Sequence, residues 1–384
     1  MSENRPSRVM IVAGEASGDL YGAGLIRALQ EKDARITFFG TGGERMREAG
    51  CNTLVDSAEM AVVGLVEVLR HFNVIAAAFL KLKRILLSDP PELLILIDYP
   101  DFNLRLAKVA KRAGIKVLYY ISPQVWAWRQ GRVKKIARVV DHMAVIFPFE
   151  VPFYQKAGLP VTFVGHPMAD LVHVEMSRAD AACSFALDPA RKTVGLFPGS
   201  RRSEIRKLLP AILGAARLLM ARFPSVQFVL PLASTLKEGD LEPLLSESGI
   251  PVKIVKERIH DLIRGCDAVI SVSGTVTLEV ALVGTPLVII YKLSPITYQF
   301  ALHLVKVSHI GICNIVAGKT VARELIQDDA SPEMIAEEVG RILSDDGYAN
   351  DCKSRIAVVR EKLGAGGADQ KMADCVLEIL TAKG

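Results

Sequence analysis

The chain has 384 residues, a length that fits two domains of ordinary size. Half of it is hydrophobic and 23% is charged, ample for two packed cores, which excludes a disordered chain, a collagen-like one and a disulfide-stapled mini-domain. The 47 Lys and Arg against 42 Asp and Glu leave a formal charge of +5. That suits an anionic small substrate or an anionic membrane surface and is too weak to indicate nucleic acid.

The N-terminal Met1–Arg8 is short and polar, and the apolar run after it is too brief for a signal-peptide core. Mean hydropathy is high at +0.29, yet no stretch reads as a membrane span. The best candidate, Met60–Leu80, is interrupted by Glu67, Arg70, His71 and Asn73. The six cysteines (51, 183, 266, 313, 352, 375) form no C-x-x-C pair and read as reduced thiols of a cytosolic chain.

In chain order, Val9–Ala13 reads as a strand and Leu20–Glu31 as a helix. The strand candidates Ile36–Gly40, Leu93–Ile97, Val117–Ile121, Met143–Phe147 and Val161–Val164 follow, with helical stretches such as Asn103–Ala113 between them. Their apolar residues are continuous rather than alternating, as in parallel sheets buried on both faces. The rhythm restarts at Thr193–Phe197, with a helical Glu204–Arg222. Val226–Leu230, Val252–Val255, Ala268–Val272 and Leu287–Tyr291 come next. Between the halves lies Gly165–Asp188, and a Gly-rich break at 364–367 precedes a last helix at Gln370–Ala382. The expected architecture is α/β: two facing Rossmann-like, doubly wound domains with an interdomain cleft. Residues 1–175 and 190–350 would form the domains. Residues 351–384 would be helices packing back toward the first. In such folds ligands bind beyond the carboxyl ends of the strands, so polar residues just after strands are the candidates.

Four constellations stand at such places. Gly14-Glu15-Ala16-Ser17-Gly18-Asp19 follows the first strand. Its glycines allow close backbone approach and its helix start favours an anion, but it is not the G-x-G-x-x-G fingerprint. The plain structural alternative is a tight turn with Ser17 or Asp19 as N-cap. In Asp98-Tyr99-Pro100-Asp101-Phe102-Asn103, Asp98 closes a strand, where a carboxylate can take a proton from an attacking hydroxyl, while Asp101 reads as a helix N-cap. Pro198-Gly199-Ser200-Arg201-Arg202-Ser203 adds two guanidinium groups to a glycine turn. It reads as an anion cradle with Ser203 as N-cap, and it lacks the lysine of a P-loop. Ser273-Gly274-Thr275 opens a helix with Glu279 one turn on. That carboxylate suits two vicinal ribose hydroxyls, or it simply faces solvent.

Two segments point elsewhere. Trp126–Arg138 is basic and carries both tryptophans, Trp126 and Trp128. Part of it is a core face, and the rest suggests an interface or an anionic ligand. Leu65, Val66, Val68, Leu69, Phe72, Ile75, Ala76 and Phe79 form a helical stripe, either core or lying in a membrane surface. The histidines show no metal-ligand spacing, and no G-x-S-x-G elbow is present.

Together with Val125-Trp126-Ala127-Trp128-Arg129 and Val164-Gly165-His166-Pro167, these constellations resemble the lipid-A-disaccharide synthase family, in order from about residue 8 to 345. The resemblance implies a metal-independent, cofactor-free, inverting hexosaminyltransferase of the GT-B type. Its substrates would be UDP-2,3-diacylglucosamine and 2,3-diacylglucosamine 1-phosphate, its products the β-1,6-linked disaccharide 1-phosphate and UDP. It would be peripheral at the cytoplasmic face of the inner membrane, without nucleic acid, and a homodimer stays open. By the resemblance the essential residues fall on Asp98 and Arg201. Substrate and UDP contacts fall on Gly14, Glu15, Ser17, Gly18, Gly199, Ser200, Ser273, Gly274, Thr275, Glu279 and Asn314. Cys313 stands where the family pattern has proline. Membrane contacts would be Val66, Leu69, Phe72, Trp126 and Trp128. A UDP-hexosamine epimerase or another GT-B hexosamine transferase is the alternative.

Overall fold

The apolar runs pair as parallel strands in two separate sheets. The computed structural model describes residues 7–60, 65–128, 130–233, 235–293, 298, 308–364 and 366–382, with backbone alone for 65–72, 127, 128 and 130. The chain divides into two units, Met1–Pro167 with Gly366–Gly384, and Met168–Ala365.

The first unit holds β1 (Arg8–Ala13), β2 (Thr37–Gly42), β3 (Asn52–Asp56), β4 (Leu93–Ile97), β5 (Lys116–Tyr120), β6 (His142–Val145) and β7 (Val161–Phe163). They pair in the order β3-β2-β1-β4-β5-β6-β7, all parallel. Every residue of β4 is buried, because helices cover both faces of a parallel sheet and leave no wet side for polar residues. The helix Pro100–Arg112 starts on its proline, whose fixed φ suits a first helical position, and buries Phe102, Leu106, Ala107 and Ala110.

The helix Leu65–Ser88 carries the apolar stripe. Its later part is core: Ala78, Leu82 and Leu86 recur every four residues and are buried, and Phe79 meets Phe102 edge-on at 5.7 Å. The side chains of Val66, Leu69 and Phe72 lie outside the described residues, as does that of Trp128. Trp126 departs from the expected membrane contact. Its ring is buried and packs edge-on against Phe149 at 5.2 Å, so its apolar surface is already spent inside the unit. The last helix, Ala368–Thr381, lies on the helix Ala16–Lys32 of this same unit. Lys32 pairs with Asp374 at 2.8 Å, and Lys116 donates to the carbonyl of Ile379.

The second unit holds β8 (Thr193–Phe197), β9 (Gln227–Pro231), β10 (Val252–Val255), β11 (Ala268–Val272), β12 (Leu287–Tyr291) and β13 (Arg323–Ile326), paired in the order β10-β9-β8-β11-β12-β13. Its core gathers the inner faces of the helices Arg202–Arg222 and Pro332–Ser344 against the sheet. The helix Asp346–Leu363 belongs to this unit, where Arg360 donates to the carbonyls of Val172 and Leu282.

Each sheet reverses its strand order once, between β1 and β4 in the first and between β8 and β11 in the second. Such reversal points open a crevice beyond the carboxyl ends of the two strands. All four constellations follow these four strands.

Candidate active site

In the first unit, Ala13 pairs with Ile97, so the turn after β1 and the turn after β4 are neighbours. Asp98 and Tyr99 both adopt φ of 47°, the left-handed region that non-glycine residues avoid. Such residues cost of order 1–3 kcal/mol each and persist only where their surroundings over-determine them. Here they do. The Asp98 amide donates to the Tyr120 carbonyl at 3.0 Å. The Asp98 carbonyl accepts from the Tyr119 hydroxyl at 2.6 Å and from Asn103 Nδ2 at 2.8 Å. The backbone is thus clamped, and the carboxyl is held at the end of the central strand. Burial first, and the nearby Glu15 charge second, push this carboxyl up to about 6 against the pull of the Tyr99 amide. It stays mostly ionised at neutral pH and is a far better base than an ordinary aspartate.

The glycines beside it serve packing. A Cβ on Gly14 would come within 2.6 Å of the Tyr99 ring, so the aromatic residue of the clamped turn, rather than a ligand, requires the glycine. Gly18 lies against Ala13 and Ile97 and lets helix and sheet approach. Neither Ser17 nor Asp19 caps this helix. Its N-cap is Glu15, without a side-chain bond, and Glu15 and Ser17 are exposed at the crevice. Asp19 is turned inward and accepts the amides of Gly43 at 2.6 Å, Arg45 at 3.2 Å and Met46 at 3.1 Å, so it caps a different helix, Glu44–Glu48. Asp101 likewise is no cap. Tyr99 holds that position, and Asp101 pairs with Arg132 at 2.7 Å.

Beyond β5 and β6 lies a buried polar cluster whose Glu150 escaped the sequence reading. Glu150 is 2% exposed and accepts the Phe147 amide at 3.2 Å. Burial pushes its carboxyl up to about 8, with Ser122 and the Trp126 indole pulling the other way. His166 packs on Phe147 and is driven down to about 4 by burial, a neutral core histidine. Both side chains are buried within the first unit.

In the second unit a cavity of about 570 Å³ opens beyond β8 and β11, lined by the two glycine turns, Ile259, Lys256 and Glu279. Gly199 has φ of 105°, and a Cβ there would meet Glu204 Oε2 at 2.3 Å. Glu204 accepts the amides of Ser200 and Arg201 at 3.1 and 3.2 Å and so caps the helix whose N-cap is Arg201. The expected cap, Ser203, lies exposed inside the helix. These bonds commit two amides, and the Arg201 guanidinium on the cavity lining is mostly exposed and pairs with Glu204 at 3.5 Å. Arg202 is not part of the cradle: it pairs with Asp240 at 3.0 Å. The other turn starts the helix Val276–Val283, where the amides of Thr277 and Leu278 donate to the carbonyls of Gly274 and Thr275 at 3.1 and 2.9 Å. Ser273 donates to the Ile310 carbonyl, which fixes this turn.

Asn314 departs from the expected nucleotide contact. It is fully buried, and its amide donates to the Ala322 carbonyl and Glu324 and accepts the amides of Val321 and Ala322. With both donors and its acceptor engaged, it braces the entry to β13.

Removing the Tyr119 hydroxyl should loosen the clamp. Tyr119→Phe leaves the Asp98 carbonyl with Asn103 alone and costs about 1 kcal/mol of stability, the usual net worth of a hydrogen bond. The expected result is a several-fold fall in kcat with unchanged UDP affinity. Unaltered kcat beside a lowered melting temperature would show that the clamp serves only the fold.

Compared with known proteins, residues 9–379 match the family described as Lipid-A-disaccharide synthetase. The Lipid-A-disaccharide synthase of Trichlorobacter lovleyi is 71% identical over 380 residues, covering 99% of both chains. That of Geobacter sulfurreducens is 62% identical with the same coverage. Among solved structures, a putative UDP-N-acetylglucosamine 2-epimerase from Listeria monocytogenes superposes with a TM-score of 0.67, covering 98% of this chain and 97% of that one. At 12% identity that likeness is one of fold alone. The near-complete match in sequence is of another order: the chain belongs to the lipid-A-disaccharide synthase family.

Proposed function

We propose that this chain transfers 2,3-diacylglucosamine from UDP-2,3-diacylglucosamine to the 6-hydroxyl of 2,3-diacylglucosamine 1-phosphate. Family membership supports the reaction, and the clamped Asp98 with its raised carboxyl carries the chemistry. Asp98 takes the proton of the acceptor hydroxyl as its oxygen bonds to the anomeric carbon. Attack comes from the face opposite UDP, and the bond from that carbon to the diphosphate oxygen breaks. Arg201 neutralises the charge that gathers on the departing diphosphate. Glu279 accepts the ribose hydroxyls, because a carboxylate beside an anion site repels phosphate and attracts neutral donors. The β-1,6 disaccharide 1-phosphate and UDP leave together. Mass spectrometry of the products from donor plus acceptor tests this. Disaccharide 1-phosphate with stoichiometric UDP is expected, whereas an isomerised sugar nucleotide formed without acceptor would overturn it in favour of an epimerase.

The proposal includes a peripheral position at the cytoplasmic face of the inner membrane. Both substrates carry acyl chains, and no helix among the described residues is long and apolar enough to cross a membrane. The stripe at Val66, Leu69 and Phe72 is the candidate contact. Replacing all three by serine should shift the protein from sedimenting vesicles to the supernatant with little change in melting temperature. Unchanged partitioning with a collapsed melting temperature would make the whole helix core.

A further inference from the structure

Glu279 is one of the residues lining the cavity of the second unit, and His260 is not. Yet His260 Nε2 lies 3.0 Å from Glu279 Oε2, and both side chains are mostly buried. Among the described residues this is the hydrogen bond that fixes the carboxylate. A free glutamate side chain on a helix has three torsions to lose before it can meet a ligand, and a partner that fixes one oxygen leaves the other aimed.

The local backbone is built to put His260 there. Arg258, two residues before it, is the N-cap of the helix Ile259–Gly265 and takes φ of 57°, a left-handed position costly for arginine. Three contacts hold it. Its guanidinium pairs with Asp261 at 2.8 Å, lies over the Phe185 ring at 5.3 Å, and reaches Met176 Sδ at 3.4 Å. The turn lets the chain leave β10 and enter the helix at once, with His260 in its first turn directed at Glu279.

We infer that His260 is a positioning residue for nucleotide recognition: it fixes one oxygen of Glu279 so that the other receives the vicinal hydroxyls of the ribose. The inference rests on the reading of Glu279 as the ribose acceptor, and it makes the preference for a ribonucleotide depend on a side chain that never touches it. The ring must donate from Nε2 to the carboxylate, and its other nitrogen is free of any duty toward the ligand.

The test is calorimetric binding of UDP and of 2′,3′-dideoxyuridine diphosphate to the full chain and to three variants. Wild type should prefer UDP by roughly tenfold or more, the scale of a hydrogen bond to a charged group. Glu279→Ala should abolish that preference. His260→Ala should lose most of it by weakening UDP alone, with the dideoxy compound bound within about twofold of wild type, inside the error of a few tenths of a kcal/mol that distant effects bring. His260→Gln, whose amide nitrogen reaches the place of Nε2, should restore it. If His260→Ala keeps the wild-type ratio, or weakens both ligands equally, the role of His260 is overturned while that of Glu279 stands. If Glu279→Ala keeps the ratio, the ribose reading of Glu279 falls and the inference falls with it.

Discussion

Asp98→Asn should lower kcat by about 10²–10⁴-fold, the range typical of losing a general base, and leave the UDP dissociation constant within about twofold. The amide keeps the size of the side chain, and the backbone bonds that clamp the turn involve none of its side-chain atoms. In wild type the acid limb of kcat/KM should have its midpoint near the raised value of about 6, because only the ionised carboxyl can accept the proton. Stability should move the opposite way. A carboxyl raised in the folded state favours folding below its ordinary value near 3.8, and that advantage is lost as pH rises through about 6. The charged group therefore destabilises the native enzyme at pH 8, by up to about 3 kcal/mol at 1.36 kcal/mol per tenfold change in proton affinity. Asp98→Asn should accordingly melt higher than wild type at pH 8 and no higher at pH 3.5. A kcat within a few-fold of wild type would make Asp98 a turn residue and pass the base to Glu15 on the neighbouring strand end.

Arg201→Ala should lower kcat and weaken UDP inhibition together, by a loss of roughly 2–4 kcal/mol, the scale of a removed transition-state donor. Arg202→Ala is the matched control. It removes the same charge one residue away, but its guanidinium is engaged by Asp240, so UDP affinity should change by less than about threefold, as for surface ion pairs worth under 1 kcal/mol. Equal losses in the two variants would mean that general positive charge, rather than a placed guanidinium, holds the diphosphate.

The central strands were legible because burial on both faces writes them as unbroken apolar runs. β4, Leu-Leu-Ile-Leu-Ile, cannot be mistaken. β3 and β13 were not found. Both are edge strands, and Asn52-Thr53-Leu54-Val55-Asp56 and Arg323-Glu324-Leu325-Ile326 keep polar residues because one side has no partner strand. Candidate positions were legible for the same reason as the strands: a polar residue ending a central apolar run lands at a reversal of strand order. The side-chain partners were not. Asp19 caps a helix more than 20 residues away, Tyr119 props Asp98 from the next strand, and His260 reaches Glu279 across 19 residues. These contacts follow from the packed fold and have no local spacing to announce them. Ser203 looked like a cap by residue type, but the helix starts earlier, at the N-cap Arg201, and Glu204 accepts the amides of Ser200 and Arg201 from within the first turn.

The first unit takes its closing helix from the far end of the chain, after the whole of Met168–Ala365. A ribosome therefore delivers the complete second unit before the helix Ala16–Lys32 receives its cover. At about 5–20 residues per second the second unit alone takes on the order of ten to forty seconds to synthesise. A fragment cut at Pro167 would inherit the same defect permanently. The shortest self-sufficient form of this unit is a fusion in which the last segment is joined directly to the first.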